Sequence, residues 1–264
     1  MSVSLTKPPV RILIILFHVY GLLVTCLSDT SMRKSLSSYS IWGFVILLAF
    51  FVPTLYFYIS VCKGPGFVEL NPEINREGSG YYCSKCNIHP PVRSGHCKEC
   101  QRCVLRRDHH CPWMGTCIGM NNHFHFLLYL FFEGVTLFIF AYNCIPAALI
   151  DKDLTEWIFT SFQCAIVSGL SVLGMVQPIV LFPTHLFFAI VNKTTWETTR
   201  RDRISYFQNW SYSHSPFSQG LTGNIKEFVT MKNLQPVYQI PTSDSIQEWK
   251  TKNKFIFNEN YELC

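Results

Sequence analysis

Residues 82–117 read YCSKCNIHPPVRSGHCKECQRCVLRRDHHCPWMGTC. Seven cysteines (Cys83, Cys86, Cys97, Cys100, Cys103, Cys111 and Cys117) fall in this stretch, with His89, His96, His109 and His110 among them. Cys-x2-Cys steps occur at Cys83/Cys86, Cys97/Cys100 and Cys100/Cys103, a spacing that suits metal ligation better than disulfides. A structural zinc site takes four N or S donors in a closed tetrahedron, so two such sites consume eight donors. Neighbouring residues of an extended chain point to different sides. His96 and Cys97 are therefore expected to serve different ions, which interleaves the two sites in sequence. One consistent partition sets Cys83, Cys86, His96 and Cys103 around one Zn2+ and Cys97, Cys100, His110 and Cys117 around the other; spacing alone does not fix it. What remains is Asp108, His109 and Cys111. A nucleophilic thiol wants a base within hydrogen-bond reach, and the base wants a carboxylate to hold its tautomer. Arg106, Arg107 and an adjacent zinc would favour thiolate over thiol at Cys111.

On either side of this polar stretch the chain is apolar. Residues 12–28, 41–62 and 157–192 contain no Asp, Glu, Lys or Arg, and 124–150 contains only Glu133. Each block is long enough to cross a hydrocarbon core, which needs about 20 apolar residues. The charged fraction is 15%, against about 25% in ordinary soluble chains. Disorder, collagen and a compact soluble enzyme are excluded. The reading is an all-α multi-pass membrane protein, with four transmembrane helices and a zinc-binding Cys-rich domain between helices 2 and 3. Its parts are 1–62 (helices 1 and 2), 63–123 (Cys-rich domain), 124–192 (helices 3 and 4) and 193–264 (tail). No small-x-small cleavage site follows the first block, so it is expected to stay as a span. The block 157–192 is too long for one perpendicular crossing and too short for two. The crossing is placed at 168–190, with Trp157 to Ala165 at the interface, and Pro53, Pro178 and Pro183 are expected to distort their helices.

Lys and Arg fix the orientation. Two precede the first span, eight lie between spans 2 and 3 and nine follow span 4, against two in 29–40 and one in 151–156. The positive-inside rule places both termini and the Cys-rich domain in the cytosol, where a reducing environment suits unpaired thiols. Asn192-Lys193-Thr194 and Asn209-Trp210-Ser211 match the glycosylation acceptor pattern and are expected to stay unmodified on that face. The other five cysteines, Cys26, Cys62, Cys144, Cys164 and Cys264, are scattered and suggest no common role.

The stretch Asp108-His109-His110-Cys111, with Cys83-x2-Cys86, His96-Cys97-x2-Cys100-x2-Cys103 and Cys117 at matching spacing, resembles the DHHC-type protein S-acyltransferases, the palmitoyltransferases. Pro112, Trp113, Asn122 and Phe126 extend the similarity, as do Thr194-Thr195-Trp196-Glu197, similar to the family's TTxE motif, and Pro216-Phe217, Gly220 and Asn224 in the tail. Gly64-Pro65-Gly66 departs from the family's Asp-Pro-Gly, and the carboxylate is missing. Glu133 is not a family motif; an intramembrane carboxylate is a functional candidate or a group neutralised within the bundle.

The resemblance implies transfer of a long-chain acyl group, palmitoyl expected, from acyl-CoA to Cys111 and then to cysteines of membrane-associated substrate proteins. It implies His109 as general base, Asp108 as its orienting partner and His110 as a zinc ligand. Trp113 would sit near the mouth of an acyl pocket. Arg106 and Arg107 would grip CoA phosphates, Thr194, Thr195 and Glu197 would pack beneath the site, and Asn224 would link the tail to the membrane end of the bundle. A Golgi or endoplasmic-reticulum membrane is the expected location. The alternative is a zinc-stabilised membrane adaptor without activity, with Cys111 as a spare ligand. Nucleic-acid partners are excluded by a loop charge of only +3 over 62–123 on a membrane tether.

Overall fold

The structure, a computed structural model, describes residues 8–38, 40–69, 82–150, 152–207, 215–231 and 238. The acceptor pattern at Asn209-Trp210-Ser211, Cys264 and nearly all of the tail beyond Met231 lie outside the described residues.

The four long helices are α1 (Pro8–Leu27), α3 (Trp42–Cys62), α4 (His123–Ala148) and α6 (Phe162–Val191). All four are long and apolar enough to cross a membrane. Leu13, Leu16, Leu23, Leu173 and Ile179 are exposed on them, as side chains facing hydrocarbon would be. With these spans flanking the Cys/His clusters, the chain is a multi-pass membrane protein. Helices α3, α4 and α6 run unbroken through Pro53, Pro146 and the pair Pro178 and Pro183, which spans tolerate better than soluble helices do.

The last apolar stretch is divided in two. A short helix α5 (Leu154–Thr160) is capped by the Asp153 side chain on the Glu156 N–H. The spanning helix then begins at Phe162. Ser161 divides the two, donating its N–H to the Trp157 carbonyl. The sequence reading missed α2 (Ser31–Ser37), whose first turn is capped by Thr30.

The chain divides into two compact units. One comprises residues 1–62, 113–115 and 125–184. Its core gathers Val24, Leu47, Phe51, Leu137, Phe140 and Val167. Polar groups inside it are paired, as they must be away from water. The Thr54 and Thr136 hydroxyls meet at 2.9 Å. Glu133 is met by His18 Nε2 at 2.8 Å, while His18 Nδ1 lies 2.8 Å from the Ile14 carbonyl. Glu133 is thus hydrogen-bonded within the bundle. Arg11 donates to the carbonyls of Met114 and Gly115.

The second unit comprises 63–112, 116–124 and 185–264, and so takes in the first residues of α4 and the last of α6. It holds the only strands among the described residues, in two antiparallel hairpins: β1 (Gly95–Cys97) with β2 (Arg102–Val104), and β3 (His109–Cys111) with β4 (Thr116–Ile118). Gly64 and Gly66 have φ of +133° and +82°, conformations that exact a steric cost from other residues. An Asp at position 64 would be strained in this turn, so the loss of the family's carboxylate goes with a backbone only glycine adopts freely. Helices α7 (Thr195–Thr199) and α8 (Gly220–Thr230) complete the unit.

Candidate active site

The two hairpins are sorted by strand alternation. In β1–β2, His96 stands opposite Cys103; in β3–β4, His110 stands opposite Cys117. Each cross-strand pair meets a Cys-x2-Cys turn. Cys83, Cys86, His96 and Cys103 bring their ligand atoms within 4.8 Å of one another, and Cys97, Cys100, His110 and Cys117 do the same. Each turn ends on a residue of positive φ, Asn87 at 57° and Gln101 at 54°, which lets the chain double back; the Asn87 N–H closes its turn on the Cys83 carbonyl. Side chains alternate between faces along a strand. His96 and Cys97 therefore enter different cages, and His109 and Cys111 share the face of β3 opposite His110.

Each cage offers three thiols and an imidazole, the donor chemistry of a closed zinc site. The thiols of the second cage titrate far apart. Hydrogen bonding from Cys117 and Cys97 draws Cys100 down to about 3, and the same contacts push Cys117 far up. A divalent cation at the centre is what such a set would stabilise.

On the other face, the Asp108 carboxylate is buried. Oδ2 lies 2.7 Å from His109 Nδ1, and Oδ1 accepts the Thr195 N–H at 2.8 Å. Burial alone would raise the Asp108 carboxyl. Interaction with His123, the hydrogen bond from His109 and the proximity of His185 outweigh burial and hold it well below the usual carboxylate range. Burial would lower His109, but the hydrogen bonds to Asp108 and then to Cys111 bring it up to about 9. With Nδ1 committed to Asp108, the other ring nitrogen is left for Cys111, which is itself buried. The three residues left over from the cages are thus a connected line, Asp108–His109–Cys111.

Helix α7 positions this line. Thr194 caps it, accepting from the Glu197 N–H at 3.1 Å while the Glu197 carboxylate accepts the Thr194 N–H at 3.0 Å. This capping box aims the next N–H, that of Thr195, at Asp108. Glu197 is held in turn by Arg93, with Nε to Oε1 at 2.7 Å and Nη2 to Oε2 at 2.8 Å, a bidentate pair buried on both sides. Arg93 also donates to Asn192 Oδ1 and to its carbonyl and lies under the Phe217 ring at 4.5 Å. Asn224 ties the tail in, donating to the Ile190 carbonyl at 2.7 Å and accepting the Gln219 N–H at 2.8 Å.

One expectation needs revision. Arg106 does not face a ligand: it is 2% exposed and donates to Asn192 Oδ1 at 3.0 Å, so its charge is spent inside the unit. Asn192, noted only for its acceptor pattern, is buried and has both amide atoms engaged, its nitrogen donating to the Phe217 carbonyl and Glu227. Arg107 is half-buried and donates to the His96 carbonyl. Trp113 is exposed, at 56%. Sequence reasoning missed Arg93, Asn192, His123 and His185. His123 Nε2 and His185 Nδ1 lie 2.9 Å apart, and each comes within about 4 Å of an Asp108 oxygen. The signal available for His185 was an imidazole in an otherwise uncharged span.

Apolar spans, paired Cys/His cages and a carboxylate–imidazole–thiol line define a membrane protein with a candidate covalent-catalysis site. Residues 76–202 match the profile of the DHHC palmitoyltransferase family. The chain is 32% identical over 196 residues to a putative ZDHHC-type palmitoyltransferase 7 of Dictyostelium discoideum, covering 73% of this chain and 45% of that protein. It is 35% identical over 143 residues to a probable protein S-acyltransferase 13 of Arabidopsis thaliana (50% and 44%). It is also 34% identical over 170 residues to palmitoyltransferase ZDHHC17 of Danio rerio (57% and 26%). The chain belongs to the DHHC palmitoyltransferase family. It spans less than half the length of each of these relatives.

Proposed function

We propose that the protein is a cytosol-facing protein S-acyltransferase working through a Cys111 thioester. The observation that carries this reading is His109 joined to both Asp108 and Cys111 on one face of β3. In the first half-reaction the Cys111 sulfur, its proton taken by His109, attacks the thioester carbonyl of a long-chain acyl-CoA. The C–S bond to CoA breaks, and the leaving sulfur receives the proton from His109. In the second, a substrate cysteine gives its proton to His109 and attacks the Cys111 thioester, which restores the Cys111 thiol. Asp108, fixed by the Thr195 N–H, keeps the His109 proton on Nδ1 and the other nitrogen toward sulfur.

Cys83, Cys86, His96 and Cys103, and Cys97, Cys100, His110 and Cys117, would each hold one Zn2+. With four protein donors per ion the metal would be structural, cross-linking the hairpins and leaving no open position. The acyl chain gains about 0.8 kcal/mol per buried CH2, whereas CoA is a polyanion that stays in water. A membrane-bound enzyme with a cytosolic thiol meets both demands. Excess Lys and Arg in the Cys-rich segment and the tail supports the cytosolic placement, and a Golgi or endoplasmic-reticulum membrane fits it. Partners are then membrane-associated proteins with cytosolic cysteines. The test is incubation of the purified full chain with labelled palmitoyl-CoA: a hydroxylamine-sensitive label on Cys111 is expected, and no label, or label that persists in Cys111→Ser, would overturn the reading.

A further inference from the structure

Cys144 and Cys164, which share nothing in sequence, meet in the bundle. Cys144 lies in the last turns of α4 and Cys164 in the first turn of α6, so both stand at the same end of consecutive spans. Both are free thiols at 0% exposure in one core cluster. The two thiols influence one another within that cluster, and Thr25 Oγ1 lies 3.8 Å from the Cys144 sulfur. Span 3 runs away from the Cys-rich segment toward this end, so if that segment is cytosolic these thiols stand on the opposite, oxidising side.

We propose that Cys144 and Cys164 are joined by a disulfide on the non-cytosolic side, stapling spans 3 and 4; the inference rests on the orientation given under Proposed function. The oxidant class is a disulfide-bearing oxidoreductase of the secretory lumen. One of the two thiols, as thiolate, attacks that disulfide and expels one donor sulfur, forming a mixed disulfide. The second thiolate attacks the protein sulfur of the mixed disulfide and expels the other donor sulfur. The protein thiols lose two protons and two electrons, and the donor leaves as a dithiol. Exchange takes place while the hairpin ends are still open; packing then shields the bond from reductants.

The test uses the full chain expressed in eukaryotic cells, with membranes dissolved in SDS containing N-ethylmaleimide and digested without reductant for mass spectrometry. A Cys144 peptide linked to a Cys164 peptide is expected, two hydrogens lighter than the free pair, and in Cys144→Ser the Cys164 thiol takes maleimide. Maleimide on both cysteines of the unaltered chain before reduction, or linkage of either to another cysteine, overturns the proposal. A glycosylation acceptor on a spacer inserted between Leu149 and Lys152 separates the two readings. Sugar there with both thiols free defeats the disulfide alone. Free thiols without sugar defeat the orientation and the disulfide with it.

Discussion

In β1 the cage residue His96 stands between Gly95 and Cys97; in β3 the cage residue His110 stands between His109 and Cys111. Both histidines face a cysteine across a short hairpin, and both cysteines belong to the same cage as their histidine. The difference lies on the reverse face. Beside His96, Gly95 has no side chain and Cys97 is spent in the neighbouring cage. Beside His110, the same alternation delivers an imidazole and a sulfur together. On the proposed reading, the second hairpin gains a reactive face from the residues that flank its cage histidine.

The sharpest way to break this comparison is Cys111→Ser. It should lower thioester formation at least about 10³-fold while metal analysis still finds two zinc ions per chain. Loss of one ion would make Cys111 a ligand and erase the distinction between the faces. Next is Arg93→Met, beside the first hairpin. Removing one partner of a buried pair costs about 3–5 kcal/mol, read as thermal unfolding of the purified protein at lower temperature. A shift near zero would mean that Glu197 and helix α7 hold their place without it. Asp108→Asn leaves both cages intact and should reduce acyl transfer about 10²-fold, measured as the initial rate with zinc content unchanged. The smallest effect is on pH. His109 is held at about 9, above its ordinary 6.5, so its contribution to stability is complete below 6.5 and fades as pH rises through 9. The melting-temperature gap between the unaltered protein and His109→Gln should narrow by about a few °C over that interval. No change would disconnect His109 from Asp108.

The spans were legible because long uncharged runs leave few alternatives for a chain. Their edges were less so. Asp153 capping α5 and the break at Ser161 depend on local hydrogen bonds that hydropathy does not register. The partition of cage donors was readable in outline from alternation, since His96 and Cys97 cannot both face one ion in an extended strand. Arg93 with Glu197 could not be read. The partners lie 104 residues apart, and nothing local marks that Arg among the basic residues of its segment. Arg106 misled for the same reason: in sequence it is a cation beside a signature, and only packing shows its charge turned inward toward Asn192.

The register of β3 against β4, with His110 across from Cys117, places a constraint on how this segment can vary in length. A strand keeps a two-beat metre. One residue inserted between His109 and Cys111 would put the proposed base and nucleophile out of step on opposite sides of the strand. Lengthening is tolerable only in pairs or within the turn beyond Cys111, so a relative with a single extra residue in this strand would keep its composition and lose its chemistry.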